Sequence, residues 1–172
     1  MSTGSAADSG CARTRLPAAA AARAGAVFAA VLAADQGVKA LVTSSLARGE
    51  ERDVVAGVKL VNVRNSGVAF GQLQNGGTIV TVVIALALLA LLVYFARAGG
   101  RPWIWLPTGM LLGGAVGNIV DRVREGAVVD FIKLPHWPAF NVADSAITVG
   151  VIVLLFVMER GSTDGDAARR PA

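Results

Sequence analysis

This 172-residue sequence is poor in the residues on which most soluble enzyme sites depend. It contains one cysteine, Cys11, and one histidine, His136. A lone cysteine excludes an internal disulfide and any multi-cysteine metal site, and no HExxH motif or cysteine–histidine set predicts zinc. His136 lies between Pro135 and Trp137, a setting more typical of an interfacial anchor than of a catalytic base. We therefore expect a site with no metal and no cofactor.

Charge is also scarce in this chain. Only 16% of the residues are charged, whereas 54% are hydrophobic, which excludes an ordinary soluble domain. The net charge of +4 comes without a basic run interleaved with aromatic residues, so we expect no nucleic-acid partner. Arginines that flank membrane spans explain this charge better. The composition predicts one small membrane domain, with lipids in contact with much of its apolar surface.

Four apolar segments predict four transmembrane helices, at about residues 24–46, 77–96, 102–121 and 138–159. Roughly 20 helical residues cross the hydrocarbon layer of a bilayer. The fourth segment reaches that length only if it begins near Pro138, which places Asp144 inside the helix. The third segment ends in Gly113-x-x-x-Gly117, and small residues at this spacing let helix backbones approach closely.

The polar segments between and around these spans predict the rest of the architecture. Residues 1–17 form a disordered tail and residues 161–172 a second polar tail, and basic residues next to the spans favour the cytoplasmic side for both. In residues 47–75, Val61 and Val63 alternate with polar residues, as in a β-strand, and a turn signal follows at Asn65-Ser66-Gly67. A small sheet that offers an edge to a peptide and a solvated connector both fit this segment. The predicted fold class is a membrane all-α protein with a small β element: four transmembrane helices plus a small extracytoplasmic β-sheet cradle.

Three aspartates lie between the last two apolar runs: Asp121, Asp130 and Asp144. Carboxylates are costly at a membrane boundary, so they mark a functional site. Two carboxyls that share one proton can hydrolyse a peptide, because the ionised one takes a proton from water and the neutral one donates to the scissile group. The apolar neighbours of Asp130, and the position of Asp144 at the buried start of a span, favour these two as the pair. Asp121, followed by Arg122, suits a permanently ionised structural partner and is the reserve candidate.

Asp35 and Lys39 interrupt the first apolar segment at a spacing of four residues, which places both on one helix face with the acid first. A self-neutralising structural pair and a direct catalytic role both remain open for them. Two other functions also fit the acids. A membrane binding or assembly protein could pair them with Lys39, Arg122 and Arg124. A transporter could use Asp130 and Asp144 as proton relays, although the sequence has no internal repeat of the kind many transporters show.

Five motifs, in the same order along the chain, resemble those of the bacterial lipoprotein signal peptidases, or signal peptidase II, over about residues 35–150. These motifs are Asp35-x-x-x-Lys39, Asn65-Ser66-Gly67-Val68-Ala69-Phe70, Gly113-Gly114-Ala115-x-Gly117-Asn118-x-x-Asp121-Arg122, Gly126-x-Val128-Val129-Asp130-Phe131-Ile132 and Phe140-Asn141-x-Ala143-Asp144. Val68 stands where the family would have alanine.

The resemblance implies an intramembrane aspartic endopeptidase that cleaves diacylglyceryl-modified prolipoproteins just before the lipidated cysteine, with Asp130 and Asp144 as its catalytic pair. It implies a multi-pass protein of the bacterial cytoplasmic (inner) membrane, with cytoplasmic termini and an active site near the outer face. Membrane lipids and globomycin-type inhibitors are the further partners that it implies. The supporting residues implied are Asp35, Lys39, Asn65, Gly67, Phe70, Asn118, Asp121, Arg122 and Asn141.

Overall fold

The structure, a computed structural model, describes residues 17–55, 57–66, 76–98 and 101–167. It is mostly helical, with one small sheet. The elements in chain order are α1 (Ala18–Ser45), β1 (Glu51–Val55), β2 (Val58–Asn65), α2 (Gly76–Ala98), α3 (Trp105–Glu125), β3 (Val128–Lys133) and α4 (Val142–Ala167). The tail predicted at 1–17 lies outside the described residues except for Pro17, and so do residues 168–172 of the second predicted tail.

Helix α3 packs closely against α1, and glycines make the close approach possible. A Cβ atom at Gly113 would lie 2.9 Å from the carbonyl oxygen of Phe28, and one at Gly117 would lie 2.7 Å from Oδ2 of Asp35. Residues further along α3 contact residues further along α1, so the two helices run parallel. The Gly113-x-x-x-Gly117 spacing therefore forms a helix-packing face, as predicted from small residues.

Helix α4 packs against another face of α3 in the opposite direction. Gly114 meets α4 at its start, where an added Cβ would lie 2.5 Å from the carbonyl oxygen of Ala143. Gly150, further along α4, meets Leu111, which precedes Gly114 in α3. This antiparallel packing brings the beginning of α4 beside the last turns of α1 and α3.

The sheet has the strand order β1-β2-β3, with both pairs antiparallel. Strand β2 confirms the strand predicted around Val61 and Val63. The third strand comes from residues 128–133, outside the predicted β region 47–75. Gly126 makes this return possible, because its left-handed conformation (φ 73°) ends α3 and turns the chain into β3.

The start of α4 differs from the predicted start near Pro138. Residues before the helix pair instead with β3, where Phe140 and Ile132 exchange backbone hydrogen bonds of 2.8 and 2.9 Å. A reciprocal cap then fixes the helix start at Val142. The Asn141 side chain accepts a bond from the Asp144 amide at 2.8 Å, and the Asp144 carboxylate accepts one from the Asn141 amide at 3.3 Å. At its other end α4 continues to Ala167, so residues 161–167 of the predicted polar tail are helical.

In the part of the chain that the structure describes, two helices are long and apolar enough to cross a membrane by length and composition, namely Ala18–Ser45 and the Val142–Arg160 part of α4. A shorter apolar helical stretch covers Leu86–Arg97 in α2. Large apolar side chains are exposed on these helices, Leu86 and Leu89 in α2 and Leu155 and Phe156 in α4 among them, a surface that suits contact with lipid. Four transmembrane helices remain a prediction.

Candidate active site

Asp130 lies in the middle of β3 and is 2% exposed. Its Cα is paired with that of Val63, and Asn65, two residues further along β2, faces the same side of the sheet. The Asn65 side-chain amide donates to Asp130 Oδ2 at 2.9 Å. Burial raises the pKa of Asp130 to about 6; the Asn65 hydrogen bond opposes that rise, and the nearby Asp144 charge adds to it. Asp130 can therefore hold a proton up to a pH of about 6, well above the usual range of a carboxyl.

Asp144 lies in the first turn of α4, where the positive end of the helix dipole stabilises a carboxylate. Its Oδ1 accepts a hydrogen bond from the Asn118 side-chain amide at 2.9 Å. Its Oδ2 accepts the Asn141 backbone amide of the helix cap. The two oxygens are thus held by residues from α3 and from the segment before α4.

Asn141 connects the two acids. Its side-chain amide donates to Asp130 Oδ1 at 2.8 Å, while its backbone amide donates to Asp144. Asn141 is fully buried, and the backbone pairing of its neighbour Phe140 holds it beside β3. Asp130 and Asp144, from a strand and a helix, therefore share one hydrogen-bonded residue.

A buried ionic cluster lies behind this pair. Lys39 Nζ is 2.7 Å from Asp35 Oδ2 and 2.7 Å from Asp121 Oδ2, and it donates to Asn118 Oδ1 at 3.1 Å. The predicted Asp35–Lys39 pair is present, and both side chains are at most 4% exposed. Among the described residues, Asp121 pairs with Lys39 of α1 rather than with the adjacent Arg122.

Asp35 and Asp121, the two acids of this cluster, each accept a hydrogen bond from a backbone amide next to Asp144 or Asp130. Asp35 Oδ1 accepts the amide of Ala143, the neighbour of Asp144, at 2.9 Å. Asp121 Oδ2 accepts the amide of Val129, the neighbour of Asp130, at 3.1 Å. Because Lys39 pairs with both Asp35 and Asp121, it helps to position both candidate catalytic residues.

This arrangement can share one proton between two carboxyls. Asp130 is buried and has a raised pKa, whereas Asp144 is only partly buried and lies at a helix N-terminus. Pairs of carboxyls in unequal environments divide acid and base roles. Such a pair suits the attack of water on an amide.

Comparison with known proteins gives the family of this chain. A family model described as Signal peptidase (SPase) II matches residues 27–159, most of the chain. The chain belongs to the signal peptidase II family. It is therefore a protease of that family, as the motifs predicted.

Relatives named lipoprotein signal peptidase match about three quarters of this chain. The protein of Halothermothrix orenii is 35% identical over 137 residues, which are 79% of this chain and 94% of the relative. The protein of Brevibacillus brevis is 41% identical over 133 residues, 75% of this chain and 89% of the relative. A solved bacterial membrane enzyme structure aligns with a TM-score of 0.72 and 28% identity, over 85% of this chain and 96% of that one.

One further residue, Gln36, lies at this site although the sequence motifs did not predict it. Gln36 donates from Nε2 to Asp121 Oδ1 at 3.0 Å and to the Gly117 carbonyl at 3.3 Å. It thus fixes Asp121 and joins α1 to α3. No local pattern marked it, because adjacent residues on a helix point about 100° apart.

The remaining predicted residues fall in two groups. Arg122 follows Asn118 by one helical turn and donates from Nη1 to the Asn118 carbonyl at 3.4 Å. The buried Nε of Arg122 has no hydrogen-bond partner among the described residues. Gly67 and Phe70 lie outside the described residues. The structure therefore brings together the predicted residues Asp35, Lys39, Asn65, Asn118, Asp121, Arg122, Asp130, Asn141 and Asp144, and their roles stay predictions.

Proposed function

We propose that this protein is an intramembrane aspartic endopeptidase that removes signal peptides from diacylglyceryl-modified prolipoproteins. Cleavage takes place on the N-terminal side of the lipidated cysteine. The proposal depends on one observation above all: Asn141 donates a hydrogen bond to Asp130 and another to Asp144. Family membership and the lipoprotein signal peptidases among the relatives support the substrate class.

In the reaction that we propose, Asp144 is the base and Asp130 is the acid. The Asp144 carboxylate takes a proton from a water molecule as the water oxygen bonds to the scissile carbonyl carbon. Asp130 gives its proton to the carbonyl oxygen. Asp144 then gives its proton to the leaving amine of the cysteine as the carbon–nitrogen bond breaks, and Asp130 takes a proton from a hydroxyl of the intermediate as the carbonyl forms again, which releases the signal peptide as a carboxylic acid. The raised pKa of Asp130 supports this division of roles, because an acid must hold its proton at working pH.

The membrane topology that we propose has four crossings, both termini in the cytoplasm and the active site near the outer face. Helices α2 and α3 have 23 and 21 residues, about 35 and 32 Å at 1.5 Å per residue, which matches a hydrocarbon layer of ~30 Å. The site lies where α1 and α3 end and α4 begins, next to the sheet. On this topology the sheet lies outside the membrane, where its strands can support an extended peptide.

A lipid-anchored substrate suits an active site at this depth. Its diacylglyceryl chains stay in the bilayer, so the scissile bond arrives at a fixed distance from the surface. Prior positioning of this kind lowers the entropic cost of reaching the transition state. Globomycin-type inhibitors are expected to bind at the same site.

The test uses the purified full chain and two matched precursors, one with a diacylglyceryl-modified cysteine and one with the same cysteine unmodified. We expect cleavage of the modified precursor only, with product masses that place the cut immediately before the cysteine, and inhibition by globomycin. Equal cleavage of both precursors would overturn the proposed substrate class. A product cut at another bond would overturn the proposed position of cleavage.

A further inference from the structure

A basic and aromatic surface lies at the end of the helix bundle opposite the active site. It is formed by Arg23 of α1, by Arg101 and the tryptophans Trp103 and Trp105 at the start of α3, and by Arg160 of α4. We name it the arginine–tryptophan surface. Arg23 and Lys39 are 16 positions apart in α1, about 24 Å at 1.5 Å per residue. The surface is therefore separate from the catalytic pair.

Two cavities open on this surface and share Arg101 and Trp103. The first, of about 330 Å³, lies between the start of α3 and the end of α4 and is lined by Arg101, Arg160 and apolar side chains such as Leu106 and Phe156. The second, of about 400 Å³, is lined by Arg23, Arg101 and both tryptophans. Both volumes are within the range of small-molecule sites. Each cavity thus combines guanidinium groups with an apolar wall.

Trp103 has an unusual conformation at the mouth of both cavities. Its φ is 66°, a left-handed value that bulky side chains rarely adopt. Its side chain is nevertheless 61% exposed, and its ring lies 5.8 Å from that of Trp105. Arg23 lies over the Trp105 ring at 5.9 Å, within the range of a cation–π contact. Strained backbone conformations of this kind cluster at active sites, ligand sites and switch regions.

The charge at this end of the bundle has one dominant sign. Among the described side chains at the helix ends here, four arginines, Arg23, Arg97, Arg101 and Arg160, accompany one acid, Glu159. Arginine binds phosphate in a fixed fork geometry. The mostly apolar lining of the first cavity suits acyl chains rather than a free inorganic ion.

We propose that the arginine–tryptophan surface is a binding site for an anionic phospholipid of the cytoplasmic leaflet. The phosphate contacts Arg101 and Arg160, and one acyl chain lies along Leu106, Val153 and Phe156. Basic pockets between transmembrane helices on this side of a membrane select anionic lipids, and tryptophan favours the headgroup region. The inference rests on the membrane topology proposed above, and it concerns a site that takes no part in cleavage.

The experiment is a lipid titration of the purified full chain in neutral detergent, followed by native mass spectrometry. The two lipids are phosphatidylglycerol and phosphatidylcholine with identical acyl chains. We expect phosphatidylglycerol to bind roughly tenfold more tightly or better. The same protein with Asp144→Asn should keep this preference, so that lipid binding is measured apart from cleavage and either proposal can fail alone.

Variants locate the site. Arg101→Gln with Arg160→Gln should abolish the preference for phosphatidylglycerol, and Arg160→Gln alone should reduce it. Arg48→Gln is the matched control, because it removes the same charge from an exposed residue beyond the other end of α1. Trp103→Gly, which relieves the left-handed backbone, should weaken lipid binding without lowering the unfolding temperature.

Several outcomes would overturn the proposal. Equal binding of the two lipids by the unmodified protein would do so without any variant. An unchanged preference for phosphatidylglycerol in the folded double variant would show that the lipid binds elsewhere. Competition by glycerol phosphate as strong as by the whole lipid would show an anion site without lipid recognition. A lipid-free dimer that the double variant loses would show that the surface binds a second copy of the chain.

Discussion

Asp35 accepts a hydrogen bond from the backbone amide of Ala143 at 2.9 Å, and so joins α1 to the first turn of α4. This bond satisfies one of the amides that every helix leaves unpaired at its N-terminus. It also fixes the backbone directly before Asp144. Lys39 holds Asp35 in place through an ion pair of 2.7 Å.

Lys39→Met should therefore destabilise the protein strongly. The substitution leaves Asp35 and Asp121 buried without their cation, and the loss of one partner from a buried ion pair costs about 3–5 kcal/mol. The measurement is unfolding in mixed micelles. Addition of Asp121→Asn to this variant should restore part of the stability, because one uncompensated charge disappears.

An exposed ion pair serves as the control for Lys39→Met. Lys59 pairs with Glu51 at 3.2 Å on the sheet, where both side chains are at least one-third exposed. Lys59→Met should cost no more than about 1 kcal/mol. Equal losses of unfolding free energy for Lys39→Met and Lys59→Met would contradict the inference that the buried cluster stabilises the protein more than an exposed ion pair does.

Asn118→Ala should lower kcat more than it raises KM. The Asn118 amide donates to Asp144 while its oxygen accepts from Lys39, so the change removes a hydrogen bond to a charged group, worth about 1.5–3 kcal/mol. That loss corresponds to a fall in rate of roughly 10–100-fold. Ser145→Ala, which removes a hydroxyl that donates to the Asn141 carbonyl and to neither aspartate of the pair among the described residues, should change kcat less than about threefold. A rise in KM alone would argue against a role of Asn118 in the reaction.

The pH dependence of cleavage should report on Asp130. Burial raises the pKa of this carboxyl to about 6. An acid donates only while protonated, so kcat/KM of the free enzyme should fall as the pH rises through about 6. Asn65→Ala removes a hydrogen bond that lowers this pKa, and the alkaline limb should move to higher pH. A shift to lower pH, or none with the fold intact, would contradict the role of Asp130 as the acid.

Gly114→Ala should separate the helices that carry the site. The new methyl group would lie 2.5 Å from the carbonyl oxygen of Ala143 and 2.9 Å from Cγ1 of Ile147. Forced contacts of this kind cost about 1–3 kcal/mol, and cleavage should fall because α4 carries Asp144. Gly37→Ala is the matched control, since nothing lies within 4 Å of a Cβ there. The control should gain about 0.5–1 kcal/mol in helix stability, and the comparison is made by thermal unfolding.

Features that depend on local geometry could be predicted from the sequence. The spacing of Asp35 and Lys39 predicts their ion pair, because residues four apart on a helix share a face. The spacing of Gly113 and Gly117 predicts a face for close packing. The apolar neighbours of Asp130 predict a carboxyl that holds its proton, and its pKa is raised.

Features that depend on distant parts of the chain could not be predicted in this way. Asp121 pairs with Lys39, which only the packing of α1 on α3 brings near. Strand β3 has only six residues, four of them apolar, and so short a segment fits a buried strand or a piece of helix equally well; pairing with β2 decides between them. A local signal did exist for the start of α4, since Asn141-x-x-Asp144 before an apolar run is a capping pattern.

The cleavage rates of Asp130→Asn and Asp144→Asn test the claim that the two aspartates share one proton during the reaction. Both variants keep the side-chain size, and the measurement uses folded protein and a diacylglyceryl-modified precursor. We expect each to lose at least about 100-fold in rate, since a positioned acid or base contributes 10²–10⁴-fold. A folded variant of either kind that cleaves the precursor at nearly the normal rate would contradict the claim.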